Sequence, residues 1–88
     1  MKLKYQFAVR EIAGVYAAVA IGESSRKYHN IIGLNETGAD IFRLIQEGLT
    51  EDEIVARMLE EYEVTEEVLR PEVQQLIKKL QDENLLID

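Results

Sequence analysis

Cysteine is absent from this chain, which removes disulfide frameworks, thiolate nucleophiles and cysteine metal ligands together and fits a reducing compartment. Histidine occurs once, at His29. Metal sets built from His and Cys and Cys–His nucleophile pairs are therefore excluded on inventory, and a Ser-His-Asp unit would have to draw on His29 near Ser24 or Ser25 with nothing to orient it. Long apolar runs are also missing. Lys2 and Lys4 open the chain, but Arg10 and Glu11 follow before any signal core can form, and no stretch reaches membrane-spanning length. A soluble, cytoplasmic protein that holds no membrane is expected. Proline appears once, at Pro71, and there is no internal repeat or low-complexity segment.

What is present fits one domain covering residues 1–88. A chain of this size buries roughly 60–65% of its unfolded surface in a single modest core, too little for a catalytic cleft between two lobes. The formal charge of −7 is unevenly spread. Residues 1–34 carry Lys2, Lys4, Arg10, Arg26 and Lys27 against Glu11 and Glu23, a balance of +3, whereas residues 35–88 hold fifteen acids against five bases, a balance of −10. The acidic half repels a phosphate backbone, because nucleic-acid affinity rests on Lys and Arg displacing counterions.

Hydrophobic period divides the chain at the same place. Leu3, Tyr5, Phe7 and Val9 share one parity, with Lys4, Gln6, Ala8 and Arg10 on the other, which predicts a half-buried strand ending near Ile12. Ala13-Gly14 supplies a turn. Val15 to Ile21 is apolar on both parities, as suits a central strand; Gly22-Glu23-Ser24-Ser25 is a turn cluster, and Tyr28 to Gly33 returns as a third strand.

The junction Leu34-Asn35-Glu36-Thr37-Gly38-Ala39-Asp40-Ile41-Phe42 then switches the period to three-and-four. Asn35 is a helix cap and Glu36 adds negative charge at the positive end of the dipole. This predicts a helix over 36–47, stopped by Gly48. Thr50-Glu51-Asp52-Glu53 reads as a capping box opening a second helix, with Ile54, Val55, Met58, Leu59 and Tyr62 as its apolar stripe. A third helix carries the stripe Leu69, Val73, Leu76 and Leu80, flanked by Ile77. Since proline disfavours helix at the residue before it, the regular helix is expected to start at Pro71 after a loose turn. Leu85, Leu86 and Ile87 form an apolar tail that closes the core.

Strands followed by three capped helices predict an α+β fold of the winged helix-turn-helix kind, a three-stranded antiparallel amino-terminal sheet and then the helices. Such folds often bind DNA. The third helix offers Arg70, Gln74, Gln75, Lys78 and Lys79, but Glu66, Glu67, Glu72, Asp82 and Glu83 share it, and the second helix is more acidic still. A DNA-binding or transcriptional adaptor is thus the alternative, and a scaffold for an enzyme a third reading. The carboxylates fall at caps and exposed helix positions rather than as a catalytic pair. Asn35 to Asp40 lacks the alternating ligands and closing glutamate of a calcium loop.

The order of these pieces resembles the PqqD-like family. The resemblance rests on the meander, the Leu34–Phe42 junction, the Gly48-Leu49-Thr50 step, Ile54-Val55, the Leu59–Val64 stretch, and the Val73–Leu80 helix ending near Leu85-Leu86, so it runs from about Phe7 to Ile87. It implies a non-catalytic chaperone, with no cofactor, that binds the leader of a ribosomally made precursor peptide and presents it to a modifying enzyme, often of the radical S-adenosylmethionine type. Pyrroloquinoline quinone is one candidate downstream product among several. In that family the leader adds as a strand beside the third strand, in the groove next to the third helix.

An edge strand supports the same mechanism physically, because its unpaired N–H and C=O groups template another chain. About four new ladder bonds at a net ~0.5–1.5 kcal/mol each yield roughly 2–6 kcal/mol, short of the ~8 kcal/mol of a micromolar complex. Apolar pockets must add ~1.5–3 kcal/mol per buried leader side chain. The expected site comprises the strand residues Tyr28, His29, Asn30, Ile31, Ile32 and Gly33 with Arg70, Val73, Gln74, Ile77 and Lys78 from the helix. Ile31 and Ile32 point to opposite faces, so one belongs to the core. Val73 suits core and groove equally. Ile77, beside the main stripe, is the stronger groove candidate, and an Ile77→Glu change is expected to weaken peptide binding with little loss of stability. An exposed edge is also compatible with a homodimer.

Overall fold

Alternating side chains from Phe7 onward build the expected meander in the computed structural model, which describes residues 1–87. The elements are β1 (Lys2–Leu3), β2 (Phe7–Ile12), β3 (Val15–Ala20), a 3-10 turn (Gly22–Arg26), β4 (Ile32–Leu34), α1 (Glu36–Gln46), α2 (Glu51–Glu61), α3 (Glu66–Asp82) and β5 (Leu86–Ile87). The strand that is apolar on both parities, β3, lies between β2 and β4. Ala13 and Gly14, at φ 53° and 81°, form the left-handed two-residue turn that closes the β2–β3 hairpin at Ile12 and Val15.

Three boundaries differ from expectation. The predicted first strand is split: β1 leaves the meander and pairs with β5, Leu3 opposite Leu86, while the Lys4 N–H donates to the Leu85 carbonyl at 2.7 Å. The apolar tail therefore closes the core as a strand joined to the amino terminus. The third strand is Ile32–Leu34 rather than Tyr28–Gly33, because the N–H groups of Lys27 and Tyr28 both donate to the Ser24 carbonyl at 3.0 Å and hold that segment in a turn.

The third helix starts at Glu66, five residues ahead of the expected Pro71. The Thr65 hydroxyl caps it, accepting from the Val68 N–H at 3.4 Å. Pro71 then forfeits only its own bond to the Glu67 carbonyl, on an exposed residue that water can serve. Arg70 holds this turn by donating to Glu66 within the helix and to Glu51 and Asp52 on α2, all within 2.9 Å.

The other helix starts follow the sequence signals. Asn35 Oδ1 accepts from the Gly38 N–H at 2.6 Å, and the Thr50/Glu53 capping box is complete at 2.8 and 3.2 Å. Gly48, at φ 89°, takes the left-handed position after α1. Phe7, Ala18 and Ile32 on one sheet face join Ile41, Phe42 and Ile45 of α1, Ile54, Val55 and Met58 of α2, and Leu69, Val73 and Leu80 of α3 in one core. Phe7 meets Phe42 edge to face at 5.5 Å. Ile32 is 1% exposed and Ile31 69%, which decides which isoleucine faces inward. No helix among the described residues is long and apolar enough to cross a membrane.

Candidate functional site: an edge strand beside a groove

Hydrogen-bond phase identifies the free groups of the sheet. The Ile21 N–H donates to the Gln6 carbonyl at 3.0 Å, which marks Gln6–Ile21 as a bonded pair. Antiparallel ladders alternate bonded and non-bonded pairs, so Arg10–Ala17 is bonded in β2–β3, and Tyr16–Leu34 and Ala18–Ile32 are bonded in β3–β4. Gly33 consequently turns its N–H and C=O groups outward, away from β3, and the Ile31 carbonyl, trans to the Ile32 N–H, does the same. Three backbone groups thus stand on the open edge of β4. The opposite edge is partly closed, since Gln46 Nε2 donates to the outward Phe7 carbonyl at 2.7 Å.

Beside the β4 edge runs a groove of about 270 Å³. Gly33, Leu34 and Asn35 form its strand side, Gly38 and Ile41 of α1 lie at its floor, and Glu72, Gln75, Leu76 and Lys79 of α3 form the far wall. The cap explains Gly38: a Cβ there would meet Asn35 Oδ1 at 3.0 Å and the Leu34 side chain at 3.6 Å. Where the chain approaches β4, the Tyr28 hydroxyl donates to Glu83 at 2.7 Å and so ties the strand's approach to the carboxyl end of α3. A larger hollow of about 680 Å³ lies on the β2 side, between residues 1–7 and the end of α1.

The sequence-predicted residues divide between these surfaces. Gly33 lines the groove and Ile31 stands on the outward-bonding phase beside it. Ile32 is core. Tyr28 is no strand residue: its ring stacks on Tyr5 at 5.9 Å and meets Phe7 edge-on at 5.6 Å. His29 Nε2 donates to the Arg26 carbonyl at 2.9 Å, a local turn contact, and Asn30 is an exposed link.

On α3 the expected residues occupy the other flank. Arg70, Gln74 and Lys78 recur every four residues on one face, where Arg70 and Gln74 both reach Glu51 of α2 and Lys78 pairs with Asp82 at 3.0 Å. Three carboxylates around Arg70 hold its guanidinium more firmly protonated than usual. Val73 is 0% and Ile77 8% exposed; both pack in the core, and neither lines the groove. The groove face is instead Glu72, Gln75, Leu76 and Lys79, at i, i+3, i+4 and i+7. The apolar stripe of α3 has two flanks, and the apolar character of Ile77 drew attention to the one that α2 covers. Leu34, at the junction, was a further legible signal.

Two phenols report on the closure of this region. Burial, then the bond to Glu83, pushes Tyr28 up to about 12; for Tyr62 the bond to Asp40 leads, then burial, again to about 12. The folded state favours the neutral phenol in each, so this stability is fully present below the ordinary value of 10.0 and is lost as pH rises from there towards 12. An alkaline titration of phenolate absorbance should show Tyr28 and Tyr62 ionising well above the ordinary value, with urea resistance falling over the same interval. Four tyrosines titrating together near their ordinary value would remove both contacts.

Among the described residues, no group of three or more His, Cys, Asp or Glu side chains could hold a metal ion. Comparison with curated proteins finds no match. A solved structure described as "TbiB1 in Complex with the TbiA(beta) Leader Peptide" is similar in fold, with a TM-score of 0.70 and 21% identity over 100% of both chains. The family model described as coenzyme PQQ synthesis protein D (PqqD) matches residues 10–86, from the second half of β2 through all three helices to the start of β5. The chain belongs to the PqqD family.

Proposed function

We propose that this domain binds the leader segment of a ribosomally made precursor peptide by strand addition to β4 and presents the peptide to a modifying enzyme. The observation that carries the reading is the open β4 edge, with the outward Ile31 carbonyl and Gly33 groups beside a groove lined by the apolar side chains of Leu34, Ile41 and Leu76. Main-chain bonds supply part of the affinity, and leader side chains entering the groove supply the rest. Glu72 and Lys79 at the rim offer one charge of each sign to orient the peptide.

Family membership and the leader-bound fold relative support the same reading. The domain carries out no chemistry in this scheme, and the enzyme is of the radical S-adenosylmethionine type often found with the family. The DNA-binding alternative draws no support from α3, where Arg70 and Gln74 are engaged by acids of α2.

The test is an amide-resolved NMR titration with the leader of the precursor peptide encoded beside this chain, and with duplex DNA for comparison. Saturable shifts are expected along Ile31–Leu34 and at Glu72, Gln75, Leu76 and Lys79. Silence with the peptide and salt-sensitive shifts with DNA would replace the proposal by the regulator.

A further inference from the structure

A sheet covered by helices on one face should be polar on the other. Here it is not. The face turned away from the core carries Ala8, Arg10 and Ile12 from β2, Val15, Ala17 and Val19 from β3, and Gly33 from β4, with Arg10 its single charge. Ile12 is 72% and Val15 64% exposed, and Ile31, just before β4, is 69% exposed. Three large aliphatic side chains held in water on a rigid sheet mark an interaction surface.

We infer that this outer sheet face docks the modifying enzyme, through an apolar patch on the enzyme that bears carboxylates at its rim. The inference rests on the leader-presenting role proposed above and assigns the partner's surface. Charge selects the partner: Arg10 is the single charge within the face, so an acidic rim is attracted, and a second copy presenting the same face would set Arg10 against Arg10. Area points the same way. Two six-residue strands about 20 Å long and the three-residue β4 about 10 Å long, spaced about 4.8 Å apart, present roughly 250 Å², against the ~800 Å² per partner of a stable dimer. A small face suits a transient hand-over. Continuity completes the argument, because a leader strand added to β4 would extend the same face, and an enzyme docked there would meet domain and peptide side by side.

The test uses two variants, Arg10→Glu and the double variant Ile12→Asp/Val15→Asp, neither touching the groove. Each is titrated with the purified modifying enzyme encoded beside this chain, and separately with the leader peptide. Enzyme affinity should fall at least about ten-fold in both variants, while leader affinity stays within about two-fold. Circular dichroism confirms the fold, and Arg10→Glu, which keeps the apolar hairpin, remains decisive if the double variant unfolds. Unchanged enzyme affinity overturns the assignment. It is equally overturned if the wild-type domain sediments as a dimer that Arg10→Glu dissociates, or if the face binds anionic phospholipid vesicles and not the enzyme. Leader silence with face-dependent enzyme binding would remove the leader reading and retain the docking surface.

Discussion

Ile77→Glu should cost about 4 kcal/mol of stability, since ~2 kcal/mol of apolar burial is lost and a carboxylate is forced into a site that is only 8% exposed. A domain of 88 residues has on the order of 4–13 kcal/mol to lose. At ~4–8 °C per kcal/mol for this size, the melting temperature should drop by roughly 20 °C or more. This reverses the expectation drawn from the sequence, where Ile77 stood beside the apolar stripe and was read as groove. The structure shows the reason: the flank of α3 next to Ile77 faces α2, with Arg70 and Gln74 bonded to Glu51 above it. Thermal melting checks the point. A melting temperature within a few degrees of wild type, with leader affinity lost, would return Ile77 to the peptide site.

Gly33→Pro should do the opposite, leaving the fold intact and weakening leader binding about ten- to hundred-fold. The Gly33 N–H points out of the sheet by the alternation of the β3–β4 ladder, so proline removes no bond to β3. Nothing lies within 4 Å of where its Cβ would sit, and Ile32 is already extended, as the residue before proline requires. A leader strand, however, would lose its partner for one carbonyl and meet the ring at the edge. A lost bond and an unsatisfied buried carbonyl together cost ~1.5–3 kcal/mol, which sets the range given. Calorimetric titration with the leader, beside a thermal melt, separates the two effects. Undiminished affinity in the folded variant would mean that the peptide does not add as a strand on β4.

Local chemistry was legible where a short segment decides its own conformation. Asn35 and Thr50 mark their helix starts because a side-chain oxygen three residues before a free N–H has one obvious partner. The β3 strand announced its central position by being apolar on both parities. The same parity contained the outer apolar face, since Val15, Ala17 and Val19 cannot all be core when helices cover one side only. Pro71 misled because a local rule about the residue before proline carries no information about the Arg70 bonds to Glu66, Glu51 and Asp52, which hold the turn ahead of it.

By itself, then, the sequence determined the charge asymmetry and the absence of cysteine, which are matters of composition, and the order of elements and their caps, which depend on neighbours within a few residues. Tertiary structure decided which flank of α3 stays open, which isoleucine of the Ile31-Ile32 pair faces inward, and that Tyr28 belongs to the core margin rather than to a strand. Those outcomes depend on how α2 and the Gly22–Arg26 turn come to rest against the sheet. A helix stripe has two equivalent flanks and a strand two equivalent faces until a third element covers one of them.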